Sequence, residues 1–280
     1  MQLNIAEFMS TLPENVVRGE SVELPEHALL QMFKLAGVKK NDTFFHLGCG
    51  QGEAVALAVK KFGVKKAVGV EIDEDAAAKA RRKISHLRKN NNAEIVTGDI
   101  RDADISGASV VLFWFSDPAI VDAMVKKFRK ELKDGARVIT IWSPPGMMLP
   151  QKVDFPFFVC EKPFKYATSV RQQIKAVYGN KCIDFTAAWL LAERYIDALG
   201  VVPGQYRRFV NMLQSMVIWI NAWNMGVTCE DGVPPPVNAY LGILREFFGI
   251  DMKDLFTRDP KDESMTMMKM PSDDDKMGCC

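Results

Sequence analysis

The chain has 280 residues with a formal net charge of +1, 48% hydrophobic and 25% charged, enough for one large domain or two smaller ones with their own cores. A near-neutral balance excludes a global field that would draw the chain to nucleic acid or to an anionic membrane. The opening MQLNIAEFMS lacks the basic start and long apolar run of a signal peptide. No clean apolar run of about eighteen residues argues for a membrane span; the nearest, MLQSMVIWINAWNMGV, is interrupted by Gln214, Ser215, Asn221 and Asn224.

The elements follow in chain order. PEHALLQMFKLAG sets Ala28, Leu29, Met32, Phe33 and Leu35 on one helical face, with Gly37 as the cap. DTFFHLG reads as a strand, and an apolar helix follows from Glu53 to Lys61. AVGVEI is a second strand. DEDAAAKARRKISHLRKN is a helix with acids in its first turn and bases in its last, as the macrodipole favours. Its run of Lys79, Arg81, Arg82, Lys83, Arg88 and Lys89 falls opposite Ala77, Ala80, Ile84 and Leu87, a solvated face and not a nucleic-acid patch. AEIVTGD is a third strand and SVVLFWF a fourth, buried on both faces. DPAIVDAMVKKFRKELKDG is a helix opened by Asp117 and Pro118, and ARVITIW a fifth strand. Alternation at this spacing predicts an α/β fold, a doubly wound and mostly parallel sheet whose ligands bind beyond the carboxyl ends of the strands.

The pattern changes after SPPGMMLP. FPFFVCEKPF adds one or two strands, and from Tyr166 onward the period is helical. CIDFTAAWLLAERYIDALG and NAYLGILREFFG are amphipathic, and QYRRFVNMLQSMVIWINAWNMG is apolar almost all round, which means burial or a subunit contact. The expected organisation is an N-terminal helical segment over 1–40, a ligand-binding α/β domain over 41–165, a helical region over 166–258 and a disordered tail over 259–280. A homo-oligomer through residues 206–225 is one expectation for the apolar helix.

The six cysteines, Cys49, Cys160, Cys182, Cys229, Cys279 and Cys280, form no paired CxxC, and the three histidines are isolated. Neither a metal site nor a disulfide framework is expected, and a reduced, cytoplasmic compartment fits best. The Cys279-Cys280 pair does not match C-a-a-X and reads as a tail end.

The chemistry sits at FFHLGCGQGEAVALAV, where Gly48, Gly50 and Gly52 alternate at a strand-to-helix turn. Glycines there let a ligand approach the backbone and leave the first helical amides free to donate. Glu71 ends the second strand about twenty residues on, where an acid can take both ribose hydroxyls. Asp99 ends the third strand at the same rim. The GxGxG spacing is one residue shorter than that of pyrophosphate-binding turns.

On these residues the sequence resembles the class I S-adenosylmethionine-dependent methyltransferases, with a Rossmann-like fold. HLGCGQG is similar to their first motif, VGVEID to their second and VTGDI to the adenine loop. Residues from Ser21 to Trp142 further resemble the small archaeal protein-lysine methyltransferases, through LGCG, VKKAVGVEI and ELKDGARVI. The resemblance implies a cytoplasmic enzyme that uses S-adenosyl-L-methionine on a protein substrate, lysine above all. It puts Gly48, Cys49, Gly50 and Gly52 beneath the methionine part of the cofactor, with His46 and Gln51 beside its ammonium group. It gives Glu71 to the ribose, with Ile72 against the adenine, and Asp99 to the adenine amino group, with Ile100 packed beside it. Trp114, Phe115 and Ser116 border the methyl group, and Leu24 and Pro25 fall in the entrance segment.

The sequence departs from that family where His46 and Gln51 replace aspartates, and where SVELPE stands for Tyr-Val-Pro-Thr-Pro. No side chain announces itself as a catalytic base. The alternative is a degenerate methyltransferase fold that serves as a scaffold through its C-terminal helices.

Overall fold

The computed structural model describes residues 24–87, 92–115, 117–200 and 202–258. The expectations for residues 1–23, Arg88, Lys89, Ser116, the tail from Asp259, and Cys279-Cys280 lie outside them. Alternating strands and helices give a seven-stranded sheet in the order β3-β2-β1-β4-β5-β8-β7. Strands β1 (Thr43–Leu47), β2 (Lys66–Glu71), β3 (Ala93–Thr97), β4 (Val110–Phe113) and β5 (Arg137–Ile141) are parallel. β8 (Phe157–Glu161) runs antiparallel to β5, and β7 (Lys152–Asp154) antiparallel to β8. Two two-residue strands, β6 (Met148–Leu149) and β9 (Lys165–Tyr166), pair separately.

Strand alternation assigns side chains to two cores. On one face, Phe44, Ala67, Leu112, Ile139 and Phe157 pack against α1 (Glu26–Ala36), α2 (Glu53–Leu57) and α3 (Glu74–Ser85). On the other, Phe45, Val68, Val111 and Val138 pack against Met124 and Phe128 of α4 (Pro118–Glu131). β4 is fully buried along its length, as a strand covered on both faces must be. The end of α1 is tied to the start of β5 by Arg137, whose guanidinium donates to the carbonyls of Ala36 and Gly37, at 2.6 and 2.8 Å, and pairs with the buried Asp42.

At the rim the Asp117 and Pro118 start stands as expected, whereas the helix expected over DEDAAAKARRKISHLRKN is shorter, beginning after Asp73 and ending at Ser85. Asp73 caps α3 by accepting from the Ala76 amide at 2.6 Å, and Asp117 caps α4 by accepting from Ala119 and Ile120, with Pro118 in the first turn. The helix expected over Glu53–Lys61 instead widens into a π-helical turn, Ala58–Phe62, closed by Gly63. The widening delivers Val64 to the core, fully buried. The strand expected over SVVLFWF stops at Phe113, so that Trp114 and Phe115 leave the sheet at the rim.

The helical region comprises α5 (Val170–Tyr178), α6 (Phe185–Leu199), α7 (Arg207–Asn224) and α8 (Pro235–Phe248). Its core centres on Trp219 and Trp223, stacked with centroids 5.5 Å apart and shut off from solvent by their own chain. The all-round apolarity of α7 is therefore taken up within the protomer. No helix among the described residues is long and apolar enough to cross a membrane.

The expectation that the cysteines stay unpaired is overturned: Cys182 and Cys229 form a disulfide across a sequence separation of 47. A parallel bridge between Ile183 and Thr228 puts the two Cα atoms 4.9 Å apart, a proximity that residue spacing does not disclose. The link joins the entrance of α6 to the loop after α7. Closing a loop of this length contributes about 2–4 kcal/mol. Reduction, or Cys182→Ser, is expected to lower the unfolding midpoint of the full chain while leaving the sheet's far-ultraviolet signature intact, which reductant-dependent thermal melts would measure.

Candidate active site

The five parallel strands end on one rim. The glycine turn follows β1, and all three of its glycines have positive φ: 75° at Gly48, 51° at Gly50 and 82° at Gly52. The reasons differ. A Cβ on Gly48 would stand 2.7 Å from the Phe115 ring, and one on Gly52 would meet Ala80 of α3 at 3.0 Å. A Cβ on Gly50 would meet nothing within 4 Å. The first and third glycines are packed by the chain; the space over the second is open.

The turn is latched by an acid. Glu71 is buried, and its two carboxylate oxygens accept from the amides of Gly50 at 2.7 Å and Asp73 at 3.0 Å. A carboxylate offers about four lone-pair positions, so each oxygen keeps one for a further donor. Ile72, next in the chain, is 70% exposed with its apolar side chain at the rim. Asp99 lies one strand further out. Its carboxylate accepts from the Arg101 guanidinium and, at 2.8 Å, from the Arg101 amide, and these bonds, the first above all, hold it down at about 2, so it is ionised at neutral pH. Ile100 is buried in the α4-side core.

His46 lies in β1 beside Gly69 of β2 and Leu112 of β4, on the face that carries α1. Burial pushes its imidazole down to about 4, so the ring is neutral at physiological pH. Its Nδ1 is buried and has no hydrogen-bond partner, an unmet demand of the kind that ligands satisfy. Cys49 plays a packing part. Its sulfur fills the space where a Cβ on Gly69 would sit, 2.6 Å from that position, and burial, then the Glu71 charge, pushes the thiol up to about 12. Gln51 is exposed on the turn.

The remaining residues expected around the entrance are placed in two groups. Trp114 is half-buried against the α1-side core, and Phe115 folds over Gly48, stacked on Phe113 at 5.2 Å. Leu24 and Pro25, at the start of α1, line a cavity of about 400 Å³ with Leu29, Glu53, Ala56 and Leu57, which joins them to the helix that opens from the glycine turn. Sequence reasoning missed Trp142. It follows β5 with φ 74°, the sole non-glycine residue with positive φ among the described residues. The Ser-Pro-Pro-Gly beyond it was the available signal of an unusual turn.

The rim thus offers two acids, a glycine turn latched by one of them with open space over Gly50, and an apolar exposed side chain, while β1 beneath carries a neutral imidazole with a buried, unpartnered nitrogen. Comparisons with known proteins give what the chain is similar to. Residues 46–148 match the family model described as the ANTKMT methyltransferase domain. The chain is 39% identical over 120 residues to a protein-lysine N-methyltransferase of Saccharolobus islandicus, a match covering 42% of this chain and 73% of that protein. It is 32% identical over 108 residues to a ribosomal protein L11 methyltransferase of Clostridium botulinum, covering 37% of this chain and 32% of that one. Among solved structures, an RNA methyltransferase from Salinibacter ruber in complex with S-adenosyl-L-homocysteine is 27% identical with a TM-score of 0.49, covering 53% of this chain and 99% of that chain.

Proposed function

This chain belongs to the class I S-adenosylmethionine-dependent methyltransferases, and from that premise we propose that its rim binds S-adenosyl-L-methionine and directs the methyl group to a lysine side chain of a protein. One observation carries the cofactor reading: the Glu71 carboxylate bonds the Gly50 amide at 2.7 Å while the space over Gly50 stays open. The two lone pairs left on Glu71 match two vicinal hydroxyls in number. Exposed Ile72 supplies an apolar surface for a purine, and Asp99 an acceptor for its amino group once an exposed Arg101 bond gives way. His46 Nδ1, buried and unpartnered, faces no competing bond. Neutral, it does not repel a cationic ligand, so the loss of the family's aspartate removes an attraction without adding a repulsion. Gln51 keeps an amide oxygen for the same ammonium group. The lysine reading is supported by the archaeal relative's name.

When bound, the cofactor supplies an electrophilic methyl group: the acceptor nitrogen forms its new C–N bond as C–S breaks, S-adenosylhomocysteine leaves and the amine proton passes to water. The side chains bind, align and exclude water, which is most of what an in-line transfer asks of a protein. Trp114 and Phe115 border this region, residues 41–165 form the cofactor domain, and the helical region from residue 166 serves substrate selection. The test is calorimetry with S-adenosylhomocysteine, then incorporation of radiolabelled methyl into poly-L-lysine. Micromolar binding and labelling are expected; no heat at millimolar ligand would end the enzyme reading in favour of the scaffold.

The His46 imidazole gives a pH signature. Its folded value, about 4, lies below the ordinary 6.5, so the unfolded chain binds the extra proton first as pH falls. Its contribution to stability is constant above about pH 6.5 and is lost as pH drops toward 4, by up to about 3 kcal/mol. Urea titrations of wild type and His46→Gln between pH 7 and 4.5 would show the wild type losing more stability on acidification. Parallel pH profiles would remove His46 from that role.

A further inference from the structure

Every residue given to the cofactor lies on one half of the rim. Asp99 stands beyond β3, Glu71 ends β2 and the glycine turn follows β1. In the order β3-β2-β1-β4-β5, an elongated nucleoside held by those groups runs from β3 toward β4. Its reacting end then faces the ends of β4 and β5. The first carries Trp114 and Phe115. The second carries the loop 142–147, which no cofactor group uses.

That loop is held from outside the cofactor half. Trp142 sits in a left-handed conformation, φ 74°, that a bulky side chain keeps only when its surroundings over-determine it. Its amide donates to the Pro156 carbonyl at 2.7 Å, and Thr140 Oγ1 donates to the Ser143 carbonyl at 2.8 Å. The helical region supplies the rest. Gln173 of α5 donates through Nε2 to the carbonyls of Gly146 at 2.8 Å and Met148 at 3.1 Å. Tyr195 of α6 packs edge-on to the Trp142 ring with centroids 5.0 Å apart, and Phe155 lies 6.0 Å from it. The Trp142 side chain is half-buried and packs against both the sheet core and the helical core.

We propose that loop 142–147 is the acceptor-side wall of the active mouth, that Trp142 is a specificity-determining residue for the methyl acceptor, and that Gln173 and Tyr195 are positioning residues through which the helical region holds it. This rests on the methyltransferase reading above. A half-buried indole gives the aliphatic stem of a lysine an apolar surface to lie on. It also strips water from the amine, which favours the neutral, nucleophilic form that an acceptor must reach.

The test uses the full chain and its Trp142→Gly, Trp142→Phe and Gln173→Ala variants. Each is read twice: S-adenosylhomocysteine affinity by calorimetry, and kcat and KM for methyl transfer to poly-L-lysine. Trp142→Gly is expected to lower kcat/KM for poly-L-lysine by about tenfold or more, with most of the loss in KM, while the affinity for S-adenosylhomocysteine stays within about twofold. Trp142→Phe recovers most of the loss, and Gln173→Ala shows a smaller loss of the same kind. Gln173→Ala also decides the matter if Trp142→Gly does not fold. Wild-type acceptor kinetics in the folded variants would overturn the proposal, and so would an equal loss of cofactor affinity, the mark of a merely structural role. A wild type that binds S-adenosylhomocysteine but leaves poly-L-lysine unlabelled removes the lysine reading, and this inference with it. A wild type that labels poly-L-lysine, with variants that label it equally well, removes this inference alone.

Discussion

Glu71→Ala is expected to weaken S-adenosylhomocysteine binding by about tenfold to a hundredfold, because a hydrogen bond to a charged group contributes about 1.5–3 kcal/mol and each 1.4 kcal/mol is a factor of ten. The loss has two parts. The ligand forfeits the acceptor for its ribose hydroxyls, and the Gly50 and Asp73 amides lose theirs at 2.7 and 3.0 Å. The second part loosens the turn itself, so the variant should also melt earlier than wild type. Glu71→Gln separates the two. Its amide oxygen can still accept from Gly50, which keeps that half of the latch, but the charge and the acceptor for the Asp73 amide are gone. A variant ladder in which Gln restores part of the melting temperature and a smaller part of the affinity assigns Glu71 both parts. Unchanged affinity in Glu71→Ala, measured by calorimetry on folded protein, takes Glu71 out of the ribose role.

The parallel sheet was legible because its information is local. Phe44, Phe45 and Leu47 in one strand, or Val110 to Phe113 in another, declare burial by type alone, and Asp117 announces the helix after it. The glycine turn was legible for the same reason: a left-handed backbone at Gly48, Gly50 and Gly52 needs glycine whatever the rest of the chain does. What escaped depends on groups far apart in sequence. Cys182 and Cys229 carry no spacing signature, and only a bridge between Ile183 and Thr228 brings them together. β6 and β9 are two residues each, too short for any period to show, and pair across the intervening residues 150–164. Trp142 looked like the last residue of an apolar strand. Its conformation comes from Pro156, Tyr195 and Phe155 closing around it, contacts that no window around residue 142 contains.

The helical region extends this contrast. Its helices were readable from their period, yet their bearing on the site was not. Tyr195 and Gln173 belong to α6 and α5, more than fifty positions beyond the β4 rim, and neither sits in a motif. They matter because β8 carries the chain away from the end of β5, and the pairing of β9 with β6 brings it back beside the loop that follows β5. Function at the acceptor side therefore depends on topology, whereas function at the cofactor side depends on a run of residues that can be read directly.

The sharpest contrast the turn offers is between two of its glycines. Gly52→Ala puts a Cβ 3.0 Å from Ala80 Cβ and 3.3 Å from its Cα, at φ 82°. The left-handed cost of about 1–2 kcal/mol and an overpacking cost of about 1–3 kcal/mol add, and the unfolding midpoint should fall by roughly 5–10 °C. Gly50→Ala carries only the first cost, since its Cβ meets nothing within 4 Å, and should lower the midpoint by roughly 2–5 °C. Binding should reverse the order. The hollow over Gly50 is where the cofactor's methionine part would lie against the backbone, so the added methyl displaces ligand and not protein. Gly50→Ala is therefore expected to cost at least about tenfold in S-adenosylhomocysteine affinity, equivalent to about 1.4 kcal/mol, in a protein more stable than Gly52→Ala. Gly52→Ala, assayed well below its melting temperature, should bind better than Gly50→Ala. If Gly50→Ala instead binds S-adenosylhomocysteine like wild type, nothing rests on that backbone and the cofactor lies elsewhere on the rim.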